Sequence, residues 1–469
     1  MTTPGTRVHR RITAALFVAS MVMIVLDTTI VNVALPAISR DFGVEIAASG
    51  TISVGYLVSL AVVMPAAAWL GDRYGTKRMF LVGLATFTFG SMLCGLATSL
   101  GELVAFRILQ GVGGGLLLPL GTTLLFRAYT ADEQIRAAKL LMLPTALAPA
   151  TGPLIGGAIV DGIGWRWIFF LNVPIGVLTF AGAWLLLEEH RERPSGRFDL
   201  PGFVCAGVGL GSLMYAISRG SAVGWGSPQI VAALIAGTVL SLLLVRVELR
   251  TPEPMLRIGM LRDSVLRTVM ATALLAGAVF AGSLYLAPLM LQDGLGFSAF
   301  QSGLTTFPEA IGVMLGSQVV SYAFPRVGAR PLLVGGFTGL VATSLLLAST
   351  SASTDRWTLR VLLLAMGISA VNVHLPSQGI VFGRTKRADT GHASSLYNAN
   401  RRFGAAMGVA IFSSVLAAAG SGNATGGTAP LGPYHDAFLA AALLALVGVP
   451  FALRAPARAA AAAPETMPA

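Results

Sequence analysis

Charged side chains are scarce: only 11% of the 469 residues are Asp, Glu, Lys or Arg, against about 25% in soluble domains, while 55% are hydrophobic. That balance excludes an ordinary water-soluble globule. Cysteine is nearly absent, and Cys94 and Cys205 both fall in apolar runs, which excludes a disulfide framework or a paired-cysteine metal site. There are only three lysines, and the arginines behind the formal charge of +11 sit in short loops instead of on one basic face, so nucleic acid is not a partner. No Gly-Lys-Ser/Thr phosphate loop, His-rich metal cluster, nucleophile elbow or sizeable extramembrane domain is present. The chain is therefore expected to need no cofactor, and a membrane enzyme or receptor is a distant alternative. Abundant Ala, Gly and Arg with so little Lys point to a high-GC bacterial source.

What the sequence has in quantity is apolar runs of membrane-spanning length. Six are expected first, at Ile12–Ile38, Ser49–Leu70, Met79–Thr98, Leu103–Phe126, Ala137–Val160 and Ile168–Leu187. A pair follows at Leu200–Ile217 and Ile230–Val247. Six more run at Val269–Leu291, Phe300–Phe324, Leu332–Ala348, Leu359–Phe382, Leu396–Leu416 and Ala437–Leu453. Fourteen spans place both termini on one side. With that side cytoplasmic, 24 of the 32 Lys and Arg face the cytoplasm, as the positive-inside rule requires. The first apolar run is too long for a secretory signal and is expected to be retained as a span. The expectation is an all-α membrane protein: an N-terminal six-helix bundle (1–190), a two-helix central insertion (191–250), a linker helix with a C-terminal six-helix bundle (251–455), and a disordered cytoplasmic tail (456–469). The linker, Arg246 to Arg267, interleaves apolar residues with arginines and reads either as a helix lying on the inner leaflet or as a solvated connection.

Within this apolar background a few polar groups stand out. Asp27 lies near the middle of the first run, where a charge costs ~2.5 to 3.5 kcal/mol to insert, so it should face protein or a watery cavity and perform a task. Glu309 is a second mid-membrane carboxylate, expected roughly opposite it in the other bundle. A carboxyl taken out of water disfavours its charged form, which suits both to proton exchange and to attracting lipophilic cations. Arg107 begins RILQGVGGG in the fourth run; it either pairs in the interior or snorkels to the nearby interface. His374, beside Asn372, is either a proton relay or a packing or substrate contact. Met23, Tyr56 and Phe307 are candidates for an adaptable apolar cavity wall, or for packing and lipid contact. The turn Gly71 to Arg78 has a decayed copy at Pro325 to Arg330, and two such halves point to a binding site between them near the midplane.

The segment Ala68 to Arg78, AWLGDRYGTKR, resembles the signature loop of the major facilitator superfamily, with Asp72, Arg73, Gly75, Lys77 and Arg78 matching its key types and Ala68 and Thr76 departing from it. Gly75 suits the tight turn, and Asp72 with the neighbouring basic groups is expected to latch the bundles on the cytoplasmic side. The Arg107 segment is similar to the superfamily's fourth-helix motif, in which the arginine helps proton transfer. Pro149, Gly152, Pro153, Gly156 and Gly157, in PTALAPATGPLIGGAIVD, resemble the antiporter motif of proton-linked exporters. Further matches at LDTTIVNVALPAI, WRWIFFLNVPIG, GLTTFPEAIG and SSLYNANRRFGAAMGVAIF are similar to the fourteen-span drug:proton antiporter family. The resemblance implies a major facilitator fold in a bacterial cytoplasmic membrane. It also implies proton-driven efflux of amphipathic or cationic drugs by a monomer, with Asp27, Glu309 and Arg107 coupling protons. A narrow transporter of one metabolite or self-made antibiotic is the alternative.

Overall fold

The computed structural model describes residues 4–128, 151–189, 198–252, 254–385, 389–420 and 430–457. All regular structure among these residues is helical. The helices are α1 (Pro4–Phe42), α2 (Gly50–Tyr74), α3 (Thr76–Leu96), α4 (Leu100–Ala128), the described part of α5 (151–162) and α6 (Asn172–Leu186). Then come α7 (Leu200–Val223), α8 (Pro228–Arg250), α9 (Ser264–Leu289), α10 (Ala299–Val327), α11 (Ala329–Ala348), α12 (Arg356–Arg384), α13 (Thr390–Ala418) and α14 (Gly432–Arg454). Twelve stretches among the described residues are long and apolar enough to cross a membrane. Outside those twelve lie α5, described only in part, and α10, which is 29 residues long but carries Gln301, Glu309, Gln318 and Arg326.

Polar caps mark where several helices start. The Asp263 carboxylate accepts from the Val265 and Leu266 amides at α9, Asp199 from Gly202 at α7, and Asp355 from Trp357 at α12. Ser298 and Gln301 form a reciprocal capping box on α10. Each satisfies amide donors that have no partner inside their own helix. Gly75, at φ 103°, makes the reversal from α2 into α3 that a side chain would strain.

The helices pack as two groups with a pair between. In the first, α4 touches α1, α2 and α3, and α6 packs on α1 and α3; in the second, α9 packs on α13 and α14, α10 on α12, and α11 on α12 and α14. The central pair, α7 and α8, pack on each other, and α7 also lies against both α2 and α13, so it straddles the seam between the groups. The outward surface is apolar, as a lipid-facing one must be: Leu178, Leu185, Leu242 and Leu443 are exposed. Of the two readings of the linker, the helix on the inner leaflet does not form: among the described residues between α8 and α9 the helical structure is a five-residue 3-10 turn, Ile258–Arg262, because Pro252 and Pro254 deny helical hydrogen bonds to the preceding stretch.

The two groups are pinned together at the end where α1 finishes and α10 begins. There Asp161, at the end of α5, accepts from the Ala299 and Phe300 amides at 3.1 and 2.8 Å, capping α10 across the seam. Gln292 donates to the Val33 carbonyl at 2.9 Å.

Candidate functional site

Asp27 is fully enclosed within the first group. Its Oδ2 accepts from Arg107 Nη1 at 2.5 Å, and its Oδ1 accepts from Gln110 Nε2 at 2.9 Å and Asn172 Nδ2 at 3.1 Å. Arg107 Nη1 also donates to Gln110 Oε1 at 2.7 Å, and Asn172 reaches the Ser91 hydroxyl at 3.1 Å. Arg107 and Gln110 are three residues apart on α4, which puts both on one helix face. The guanidinium carbon lies 4.1 Å from the centre of the Tyr56 ring. With the Arg107 and Asp27 side chains 1% and 0% exposed, Arg107 is an interior partner and does not snorkel.

Between the two groups lies a cavity of about 120 Å³ lined from one side by Thr28, Asn32, Ser53, Tyr56 and Arg107. Phe280, Leu284, His374, Arg401, Arg402 and Val409 line it from the other. Arg107 therefore touches both the buried carboxylate and the cavity. Of the residues expected to line a shared cavity, Tyr56 and His374 do so. Asp27 and Glu309 do not, and this corrects the expectation that the two acids face one chamber. The guanidinium and two amides turn Asp27 toward α4 and α6. Met23, one turn earlier on the same face of α1, follows it into the core and is 0% exposed.

Glu309 is buried within the second group: its Oε1 accepts from Ser283 at 3.3 Å, and its Oε2 meets no hydrogen-bond partner among the described residues. Gly367 of α12 lies against its carbonyl, so closely that a methyl group there would clash. Phe307 is half-buried and Asn372 donates to its own helix at Ile368; neither lines the cavity. His374 Nδ1 is buried without a partner among the described residues.

The turn around Gly75 is held by the end of α6. Glu189 accepts from the Lys77 and Arg78 amides at 3.1 and 3.2 Å, and Lys77 Nζ donates to the Trp184 and Leu187 carbonyls. These contacts of Lys77 and Arg78 stay within the first group; Arg73 is exposed and Asp72 half-buried. In α5, Gly152 and Gly156 pack against Thr29 and Ile30 of α1, while Gly157 faces the Ala299 carbonyl of α10. The motif thus sits at the seam. Pro149 lies outside the described residues.

Sequence reasoning assigned no role to Gln110, Asn172, Ser91, Asp161, Arg401 or Arg402. The i, i+3 spacing of Arg107 and Gln110 was a usable signal. For Asn172 and Ser91 only the fold brings the groups together.

Two helical groups about a seam, buried charges and an apolar exterior define a polytopic membrane transporter. The family model for the Major Facilitator Superfamily matches residues 17–409, and the chain belongs to that superfamily. It is 33% identical over 344 residues, 73% of each chain, to the "Putative multidrug resistance protein MdtD" of Salmonella paratyphi B. It is 34% identical over 322 residues, 68% of each, to the protein of the same name from Klebsiella pneumoniae. Among solved structures, the nucleoside transporter NupG superposes with a TM-score of 0.68 at 10% identity, covering 94% of this chain and 99% of that one. The human organic anion transporter MFSD10 does so at 0.61 and 16%, covering 96% and 100%. Both share the fold, and membership makes this chain a transporter and not an enzyme.

Proposed function

We propose that the protein is a proton-coupled exporter of amphipathic small molecules, working by alternating access in a bacterial cytoplasmic membrane. The observation that carries this reading is the Asp27–Arg107 pair, because Arg107 also lines the cavity between the two helical groups. A proton arriving at Asp27 removes the charge that holds the guanidinium, and Arg107 is then released toward the cavity. Glu309, with one oxygen unpartnered among the described residues, is the second proton site. Each proton entering down the membrane potential supplies ~2.3 kcal/mol per 100 mV, and no bound cofactor is required.

The multidrug resistance name carried by the relatives supports export, as does the match to the antiporter motif at the seam. The bias of Lys and Arg supports a cytoplasmic Gly75 end and cytoplasmic termini. The unit is a monomer of two six-helix bundles, 1–190 and 251–455, joined by the insertion 191–250.

The test is accumulation of amphipathic dyes and antibiotics of both charge signs in cells producing the protein, with and without a proton uncoupler. Lower accumulation that the uncoupler and Asp27→Asn each abolish is the expected result. Uptake in place of efflux, or efflux persisting with uncoupler and with both acids neutralised, overturns the proposal.

A further inference from the structure

The charges lining the cavity between the two helical groups are of one sign. Arg107, Arg401 and Arg402 contribute guanidinium groups, and no Asp or Glu is among the lining residues. Asp27 cannot serve cargo as a free acid, since both its oxygens are taken by Arg107, Gln110 and Asn172. Glu309 points into its own helical group, toward Ser283. Arg401 and Arg402 meet no carboxylate within ion-pair distance among the described residues, and Arg402 Nε is a buried donor without a partner there. Arg401 and Arg402 are only partly exposed, and a buried guanidinium nitrogen left without a partner demands an explanation.

From this we infer that the cavity is a binding site for the anionic group of an amphipathic cargo, a carboxylate or sulfonate, gripped by Arg401 and Arg402 from α13 and assisted by Arg107. Guanidinium forks match the two oxygens of such a group, and a cationic headgroup placed there would meet only like charge. The remaining lining fits a headgroup as well. Ser53 donates to Asn32 Oδ1 at 3.1 Å, which leaves the Asn32 amide hydrogens for an acceptor. Phe280, Leu284 and Val409 offer an apolar wall to the body of the cargo. At about 120 Å³ the cavity is well below the roughly 300 Å³ at which drug-sized pockets begin, which suits a headgroup but not a whole drug. The apolar part of the cargo therefore extends along the seam as the helical groups separate. Cationic cargo, expected from the sequence, is disfavoured at this position.

The inference rests on the transporter reading only for the direction of movement, so binding and transport are measured separately. Purified full-length protein in nanodiscs is titrated calorimetrically with 2-naphthalenesulfonate and with 2-naphthylmethylammonium, two probes of similar shape and opposite charge. The sulfonate is expected to bind and the ammonium to bind at least about tenfold more weakly. Arg402→Gln should weaken sulfonate binding by roughly 10- to 150-fold, the range for losing a charge-assisted contact. Arg401→Gln should act in the same direction, and Arg402→Lys, which keeps the charge, should recover part of the loss. That recovery distinguishes a binding role from a folding defect. Equal binding of both probes, no sulfonate binding, or sulfonate binding untouched by both Gln substitutions overturns the inference. Arginine-dependent binding without proton-driven movement of the sulfonate in proteoliposomes would leave this site standing and remove the exporter reading instead.

Discussion

Substituting Asp27 by Asn removes one charge from a pair whose side chains are 1% and 0% exposed. Among the described residues Arg107 would then keep the Gln110 carbonyl oxygen and the faces of Tyr56 and Phe169, with at best a neutral amide oxygen in place of the carboxylate. Removing one member of a buried pair strands the other in low dielectric, at a cost of about 3–5 kcal/mol. The opposite substitution, Arg107→Gln, is milder, because the Asp27 carboxylate keeps amide donors from Gln110 and Asn172. The double variant strands no charge and should recover most of the loss. The expected order of stability is therefore wild type first, then the double variant, then Arg107→Gln, with Asp27→Asn last. Scanning fluorimetry on the chain's own six tryptophans, in detergent, measures it. Asp27→Asn milder than Arg107→Gln, or a double variant that loses the sum of the two single losses, would refute the pairing as the source of the effect.

Substitutions at three other positions test two further parts of the molecule. A methyl group on Gly303 would lie 2.1 Å from the Pro153 carbonyl oxygen, so Gly303→Ala should wedge α5 from α10 and lower transport. Labelling of a single cysteine placed at the seam should then rise, and unchanged labelling counts against the contact. Asp161→Ala removes the cap that α5 supplies to α10 and should shift the same labelling in the same direction. At Asp263 partial burial works against the charged form, but the Val265 amide and the Arg384 guanidinium outweigh it and hold the carboxyl below its ordinary value. Its contribution to stability is thus present above about pH 4 and is lost as pH falls through the lowered value. Asp263→Asn should remove that acid dependence while keeping the cap, whereas Asp263→Ala should cost a further ~1 kcal/mol, read as a lower melting point at pH 7.

The helical layout was legible because membrane spans write themselves in composition: a backbone in lipid must satisfy its own hydrogen bonds, which a continuous apolar run of some twenty residues does as a helix, and its lipid face must be apolar. Asp27 and Arg107 were legible for the same reason, as charges where charge is expensive. Their partnership was not, since residues 80 apart in sequence carry no mark of contact. The facing of Asp27 was misjudged because hydropathy gives depth and not rotation about the helix axis; which side a side chain takes is set by neighbours such as Gln110 and Asn172. Arg401 and Arg402 fall in the span expected at Leu396–Leu416, and nothing in the sequence marks them as lying at the seam beside Tyr56 and His374. Of the two readings of the linker, Pro252 and Pro254 disfavour a continuous helix, and the interleaving of apolar residues with arginines does not outweigh them.

The α7 helix touches both halves of the carrier, but not in the same manner. Toward α13 it is tied by the Ser221 hydroxyl, 2.6 Å from that of Ser414. Toward α2 and α4 it presents Phe203, Gly207 and Met214 across a loosely filled apolar crevice of about 350 Å³ walled by Val54, Val58 and Val62. A strut fixed on one side and greased on the other travels with the half it is fastened to. During each turnover the insertion would ride with the second half and skate over the valines of the first, which makes the two halves mechanically unequal despite their common plan.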